Sequence, residues 1–426
     1  MSDSYRASLD YLYSLQLFGI KLGLENIRRL LERLDNPQRK LRIIHIAGTN
    51  GKGSTAAALA NIFKQAGIKA GLYTSPHLHS FTERVRVDTE QIAETEVVRL
   101  TNELRPYAEE LRTTFFEFTT AMALLHFQRC GCEWVILETG LGGRLDATNA
   151  VEPELCLITP IAHDHNAYLG ETLSEVAAEK AGIFKPGIPV IISRQLGEVQ
   201  EVLRERAGAL RAPLLVAGSD YDWGADHAGF RFSGFDCGFE QLQPLLVGRH
   251  QQQNLALAMA AAAWLKKTGV AISAQSIRHG VERTRWPGRL EWLPDRILLD
   301  GAHNAAGAQV LAAYLQERQL CGLHLLIGMK ADKQADELLR PLLPFVGRLY
   351  ATRPPVDASI DPEKLVQLAG KSGILATKYT EPEAALIAAL QNRRLGEVLL
   401  VAGSLFLVAA IREKLLPTTE LLSISG

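Results

Sequence analysis

The stretch Arg42–Thr55, RIIHIAGTNGKGST, limits what this chain can fold into more than any other. Ile43, Ile44 and Ile46 form a short apolar run with β-branched side chains, which suits a buried strand. The run stops at Ala47-Gly48. Further glycines follow at 51 and 53, and Ala56-Ala57-Ala58-Leu59-Ala60 opens a helix. Strand, glycine loop and helix N-terminus in that order make a phosphate cradle. The glycines let the backbone come close, loop N–H groups point inward, the helix end adds partial positive charge and Lys52 adds a full one. The strict P-loop pattern fails in two places: Ile46 stands where its first glycine would, and Gly53 rather than Ser or Thr follows Gly51-Lys52. Magnesium therefore needs ligands from elsewhere in the chain. A ligand-free strand-to-helix turn is the alternative, and it leaves Lys52 and the Ser54-Thr55 pair unexplained.

The regions around this loop read as an open α/β sheet. Residues 4 to 18 and 24 to 34 show helical spacing, and Asn36-Pro37 ends the second. A strand at Ala70–Tyr73 runs into Thr74-Ser75-Pro76-His77-Leu78. Helices near 94–112 and 119–127 precede the strand Trp134–Leu137, which ends in Glu138. A glycine loop follows, Gly140 to Asn149, and the strand Leu155–Ile161 leads to His163-Asp164-His165. Open α/β sheets place ligands at the C-terminal ends of their strands. Ser75, Glu138 and His165 thus form a candidate set around the phosphate loop. Carboxylate and hydroxyl oxygens suit magnesium, whereas imidazole is atypical for it.

Two positions stay open on residue type alone. Lys180, near the end of a helix read over 171–181, is satisfied as a cation at a helix C-terminus. Asn254, at the start of an alanine-rich helix read over 255–266, fits a cap as well as a ligand to a base. Between them, 221–246 alternates aromatic and polar residues in the manner of short antiparallel strands. Arg283–Arg289 carries Pro-Gly punctuation and reads as a linker. After it strands and helices alternate from Ile297 to Leu415, a second and smaller α/β unit.

Composition excludes several classes. With 46 basic and 47 acidic residues the net charge is −1, which gives no electrostatic case for nucleic acid or an acidic membrane. No uncharged apolar run approaches the length of a membrane span, and the N-terminus has no basic region of a signal peptide. The five cysteines are odd in number and scattered, and Cys130-Gly131-Cys132 lacks the second pair a zinc site needs. Reduced thiols and a cytoplasmic location are expected.

Eleven segments together resemble the folylpolyglutamate synthase and dihydrofolate synthase family of Mur-ligase-like ATP-dependent amide ligases. In order they are KLGLENI (21–27), HIAGTNGKGST (45–55), YTSPHL (73–78), FTERVRV (81–87), FFEF (115–118), ETGLGGRLDATN (138–149), DH (164–165) with EKAGIFKPGIP (179–189), GRHQQQN (248–254), WPGRLE (286–291), DGAHN (300–304) and AGSLFLV (402–408). The resemblance implies an ATP- and pteroyl-binding domain with a mostly parallel sheet over 1–283, a linker over 284–289, and a Rossmann-like domain over 290–426. It implies a monomer that phosphorylates a pteroyl carboxylate from ATP and lets the amine of L-glutamate attack the acyl phosphate. By resemblance Thr49, Asn50, Gly51, Lys52, Gly53 and Ser54 hold the phosphates, and Asn254, Arg289 and Asp300 contact the nucleotide. Ser75, Glu138 and His165 look like magnesium ligands, and Lys180 matches the family lysine that is carbamylated and binds a second magnesium. The pteroyl group is expected against Leu22, Gly23, Phe116, Glu117, Phe118, Leu145, Asp146 and Ala147. His303 and Ser404 belong near the incoming glutamate or phosphate.

The chain departs from the family pattern at Ala305, at Ala167 and, relative to some bifunctional members, at Lys21. The last two bear on dihydropteroate recognition. A ligase of muramyl peptides shares the loop and both rear domains, but about 40 residues before the first strand are too few for its additional sugar-nucleotide domain. A nucleotide switch that makes no product is the other alternative, and Asp300 and His303 argue against it.

Overall fold

In a computed structural model, described here for residues 2–19, 23–164, 166–226 and 229–417, the chain divides into two compact units. The larger takes the described residues up to Leu245 together with Gln251–Arg285, and the smaller takes Leu246–His250 and the residues from Trp286 onward.

The larger unit is built on an eight-stranded sheet. Its strands are β1 (Arg42–Ala47), β2 (Ala70–Tyr73), β3 (Val85–Val87), β4 (Glu90–Gln91), β5 (Trp134–Glu138), β6 (Leu155–Ile158), β7 (Val190–Ile192) and β8 (Leu214–Val216). The order is β4-β3-β2-β5-β1-β6-β7-β8. β1 is central and pairs in parallel with β5 and β6, Ile46 opposite Glu138 and Leu157. Only β3 is reversed, pairing antiparallel with both β2 and β4. Ile43, Ile44, Ile46, Val135, Ile136 and Leu137 are all fully buried, so this sheet is covered on both faces. Around Ile43, Tyr73, Val135 and Leu137 one core closes, with Leu12, Ile27, Leu30, Leu104 and Phe118 from the helices. Another gathers Ile158, Val190 and Ile192 with Val176, Val199 and Leu203. An antiparallel sheet of β9 (Tyr221–Asp226), β10 (Gly229–Gly234) and β11 (Cys237–Leu242) follows, as the alternation over 221–246 predicts.

The smaller unit has six strands: β12 (Glu291–Leu293), β13 (Ile297–Leu299), β14 (Leu323–Ile327), β15 (Val346–Ala351), β16 (Leu375–Lys378) and β17 (Leu399–Ala402). Their order is β12-β13-β17-β14-β15-β16, parallel except for β12.

Two helix starts need correction, and some elements go unread in the sequence. The helix expected from Thr119 runs from Phe115 to Arg129, because Thr114 and Glu117 form a capping box five residues earlier. The helix expected from Leu255 spans Arg249–Lys267, so Asn254 sits in its second turn and is not a cap. The helix Ala274–Glu282 and the edge strand β12 have no counterpart in the sequence reading. The five cysteines are free. Among the described residues no helix is long and apolar enough to cross a membrane.

Candidate active site

The phosphate-type loop lies between β1 and the helix Lys52–Gln65, whose N-cap is Gly51 at φ +90°. That left-handed backbone favours glycine. Gly48 has φ +147°, and a Cβ there would lie 1.8 Å from Thr159 Oγ1. The loop is fixed to the turn after β6: Thr49 N–H donates to Pro160 O at 3.0 Å, and Thr49 Oγ1 exchanges hydrogen bonds with Ala162 O and N at 2.9 and 3.0 Å. Asn50 N–H also points to Pro160 O, at 3.4 Å. From the other side, the Thr55 hydroxyl donates to Asn254 O at 3.2 Å. A Cβ on Gly51 would meet Asn254 Oδ1 at 2.1 Å, so Asn254 lies against the loop although it caps nothing. Gly53 is half-buried, and Ser54 is buried on the first turn of the helix.

Two lysines converge on one carbonyl of this loop. Lys52 Nζ donates to Gly48 O at 3.1 Å and Thr49 O at 3.2 Å. Lys180 Nζ, buried at the end of the helix Leu173–Lys180, donates to Gly48 O at 2.8 Å. Burial, aided by the Lys52 charge, pushes the Lys180 amine down to about 7, against the opposing pull of Asp164 and Asp146. Lys180 is thus a cation in the last turn of its helix and also a buried amine on the phosphate-type loop.

Ser75 follows β2 and Glu138 ends the neighbouring strand β5, and Ser75 N–H donates to Glu138 Oε2 at 3.1 Å. Glu138 is buried. The Ser75 loop is held from behind by Glu83, whose carboxylate accepts from the N–H groups of Leu78, His79 and Ser80, each at 2.8 Å. Arg84 Nε donates to His77 Nδ1 at 2.8 Å. His165 lies outside the described residues, as do Leu22 and Lys21. Among the described residues no three His, Cys, Asp or Glu side chains gather as a metal cluster. The metal set read from the sequence instead mixes Ser75, Glu138 and Lys180 with His165.

On the side expected for the acceptor, Phe116 covers Gly140, where a Cβ would come within 2.5 Å of the ring, and lies 5.9 Å from the Tyr73 ring centroid. Phe118 is buried in the core and packs edge-on with Tyr11. The Glu117 carboxylate is taken up by its capping box, accepting from Thr114 N–H at 2.7 Å. Asp146 is likewise occupied: it accepts from Leu141 N–H at 2.7 Å and from the Thr148 hydroxyl at 2.5 Å. Burial holds its carboxyl above the usual range. Leu145 is half-buried and Ala147 buried in the same loop. Gly23 has φ +147°, and among the described residues nothing lies within 4 Å of where a Cβ would stand. Sequence reasoning passed over Glu83 and His45. A capping-box spacing, Ser80 to Glu83, signalled the first, and one polar residue within an isoleucine strand signalled the second.

In the smaller unit, Asp300 at the end of β13 accepts from Leu290 N–H and Ala302 N–H, both at 2.9 Å, and Arg289 opposes the rise that burial gives its carboxyl. His303 Nδ1 pairs with Gly301 O at 2.9 Å. Ser404 caps the helix Leu405–Leu415, and Gly403 N–H reaches Ala302 O at 2.9 Å, which brings the His303 and Ser404 turns to one edge of that sheet.

Gly48→Ala tests how tightly the loop is packed. The new methyl meets Thr159 in a backbone region that L-residues avoid, so a loss on the order of 2–4 kcal/mol is expected. Urea unfolding measures it; a midpoint within error of the parent protein would show that the Gly48–Thr159 approach has slack.

Comparison with known proteins agrees with the two-unit architecture. The family model of the Mur ligase middle domain matches residues 46–262, and that of the Mur ligase glutamate ligase domain matches 288–405. The dihydrofolate synthase/folylpolyglutamate synthase of Bacillus subtilis is 34% identical over 97% of this chain and 100% of its own length. A solved structure of E. coli FolC in complex with DHPP and ADP superposes with TM-score 0.88 at 31% identity, covering 96% of this chain and 97% of that one. The bifunctional folylpolyglutamate synthase/dihydrofolate synthase of Yersinia pestis, complexed with AMPPNP and Mn ion, gives TM-score 0.87 at 30% identity, covering 97% and 99%. With both Mur ligase domains matched in order and such relatives aligned along almost their whole length, the chain belongs to the dihydrofolate synthase/folylpolyglutamate synthase family of Mur ligases.

Proposed function

We propose that this chain is an ATP-dependent ligase that joins L-glutamate to a reduced folate and to dihydropteroate, with magnesium as the divalent cation. The observation that carries the reading is the convergence of Lys52 and buried Lys180 on the Gly48 carbonyl, at the C-terminal edge where Ser75 and Glu138 also meet. A phosphate loop alone would fit any nucleotide protein. A second, buried amine of lowered basicity beside it fits chemistry that needs a carbamate, because only a neutral amine takes up CO2.

In this reading the domains are 1–283, 284–289 and 290–426, the protein acts as a monomer, and its place is the cytoplasm. Thr49 to Ser54 bind the phosphates through loop N–H groups and the helix end, and Lys52 neutralises their charge. Asn254, Arg289 and Asp300 serve the nucleotide. Glu138, with oxygen donors in buried surroundings, fits a hard cation, and it acts with Ser75, His165 and carbamylated Lys180. Magnesium, when bound, offsets the charge gathered on the phosphates. Leu22, Gly23, Phe116, Glu117, Phe118 and Leu145–Ala147 form the pteroyl side; Glu117 and Asp146 act there by shaping backbone. His303 and Ser404 serve glutamate. The acceptor carboxylate attacks the γ-phosphorus and ADP departs. The glutamate amine then attacks the acyl carbon, phosphate leaves, and a proton is released.

Purified protein with Mg-ATP and labelled L-glutamate tests this, with dihydropteroate in one reaction and tetrahydrofolate in the other. Label is expected in both products. Label with tetrahydrofolate alone would restrict the activity to polyglutamylation and implicate Lys21 and Ala167. ATP consumed with label in neither product would overturn the choice of acceptor.

A further inference from the structure

We propose that His45 is a positioning residue for the loop Gly140–Asn149, acting through the Thr148 hydroxyl on the Asp146 carboxylate. The inference deepens the ligase reading, which places the pteroyl acceptor against this loop.

His45 interrupts the apolar run of β1 and is fully buried. Its Nε2 lies 2.8 Å from Thr148 Oγ1. The Thr148 hydroxyl proton is already committed, since Asp146 Oδ1 accepts it at 2.5 Å. His45 Nε2 must therefore carry hydrogen and donate, which leaves Nδ1 bare. Nδ1 has no hydrogen-bond partner among the described residues. Burial first, then the charge of Lys185, lowers the imidazole to about 3, so it stays neutral in ordinary buffers.

An isoleucine here would continue the strand without an orphaned acceptor. What the histidine adds is a chain of hydrogen bonds from the central strand to the loop. Asp146 Oδ2 accepts from Leu141 N–H at 2.7 Å, and Oδ1 accepts from Thr148 N–H at 3.0 Å, so the carboxylate clasps both ends of the loop. The imidazole holds this clasp to β1, three residues before Gly48 of the phosphate loop. On its other side the loop meets the acceptor platform and a ligand-bearing helix: Phe116 covers Gly140, and a Cβ on Gly143 would lie 2.9 Å from the carbonyls of Glu179 and Lys180. His45 thus sets where the acceptor surface stands relative to the strand that carries the phosphates.

Thr148→Val keeps the shape and removes the relay, Thr148→Ser keeps the hydroxyl, and His45→Phe removes the imidazole. Thr148→Val and His45→Phe are expected to raise the acceptor KM on the order of tenfold or more, with the ATP KM within about twofold. Thr148→Ser is expected to restore the parent value. Hydrogen exchange of the amides of residues 141 and 148 is expected to quicken in Thr148→Val and His45→Phe and not in Thr148→Ser. Exchange needs no turnover, so it decides the relay even if no pteroyl acceptor is ligated. If Thr148→Val does not fold, His45→Phe carries the same comparison. Nitrogen NMR of the parent protein is expected to show His45 neutral, with hydrogen on Nε2, at pH 5. Hydrogen on Nδ1 with Nε2 bare, unchanged exchange at Leu141, equal rises in both KM values, or lower thermal stability with unaltered kinetics would each overturn the proposal.

Discussion

Lys52→Ala is expected to lower kcat/KM for ATP-dependent ligation by at least ~10²–10³-fold while leaving the fold intact. The structural cost is small because, among the described residues, the half-buried ammonium bonds only to the carbonyls of Gly48 and Thr49 on its own loop. The loop is held without it, by Pro160, Ala162 and Asn254. The chemical cost is large for two reasons. Transfer of a phosphoryl group to a carboxylate brings two anions together, and a preorganised cation is the device that offsets their repulsion. In addition, the Lys52 charge is one of the causes that lower the Lys180 amine, so its removal returns Lys180 toward the ammonium form. The two lysines should therefore be coupled, and their double-mutant cycle should not add. Steady-state ligation assays with circular dichroism settle the matter: a folded Lys52→Ala protein with full activity would refute the phosphate-cradle assignment.

The strands that frame the site were legible because a buried parallel strand is written as a short apolar run. Ile43–Ile46, Val135–Leu137 and Val190–Ile192 are such runs, and the polar residues that follow each mark the C-terminal edge. The start of the helix at Phe115 was missed because FFEF has no amphipathic period, although Thr114 and Glu117 spell its cap. Asn254 was misplaced because Arg249–Gln253 is polar enough to read as loop, whereas arginine and glutamine are good helix formers. Of the candidate site, the presence of residues was legible and their hydrogen-bond commitments were not. Glu117, Asp146, Asp300 and Ser404 spend side-chain oxygens on backbone N–H groups, which depends on how the chain turns back on itself. The Lys180–Gly48 contact joins residues 132 positions apart, and no local pattern announces it.

Lys180→Met is expected to abolish at least ~10²-fold of the ligase activity, and the parent enzyme is expected to depend on bicarbonate. Methionine fills the space of the stem and removes the amine, so the core around Val176 and Ala177 is preserved. With the amine at about 7 instead of the ordinary 10.5, about ten neutral amines stand for each ammonium at pH 8, and about one for ten at pH 6. The neutral form attacks CO2, a nitrogen–carbon bond forms and a proton leaves, so a buried cation becomes an anion. Modification is thus favoured as pH rises through 7 and opposed as it falls. The unfolded chain binds this proton more tightly than the folded one between 7 and 10.5, so the unmodified protein gains stability as pH rises across that window. Enzyme held at pH 6 without bicarbonate should turn over slowly when first assayed, and should recover at pH 8 with bicarbonate. Lys180→Met should respond to neither treatment. Electron density at Nζ in crystals grown with bicarbonate reads the modification directly. Full activity in Lys180→Met, or turnover indifferent to bicarbonate with a bare amine in the density, would show that Lys180 serves the phosphate loop as a buried amine donor to Gly48 and nothing more.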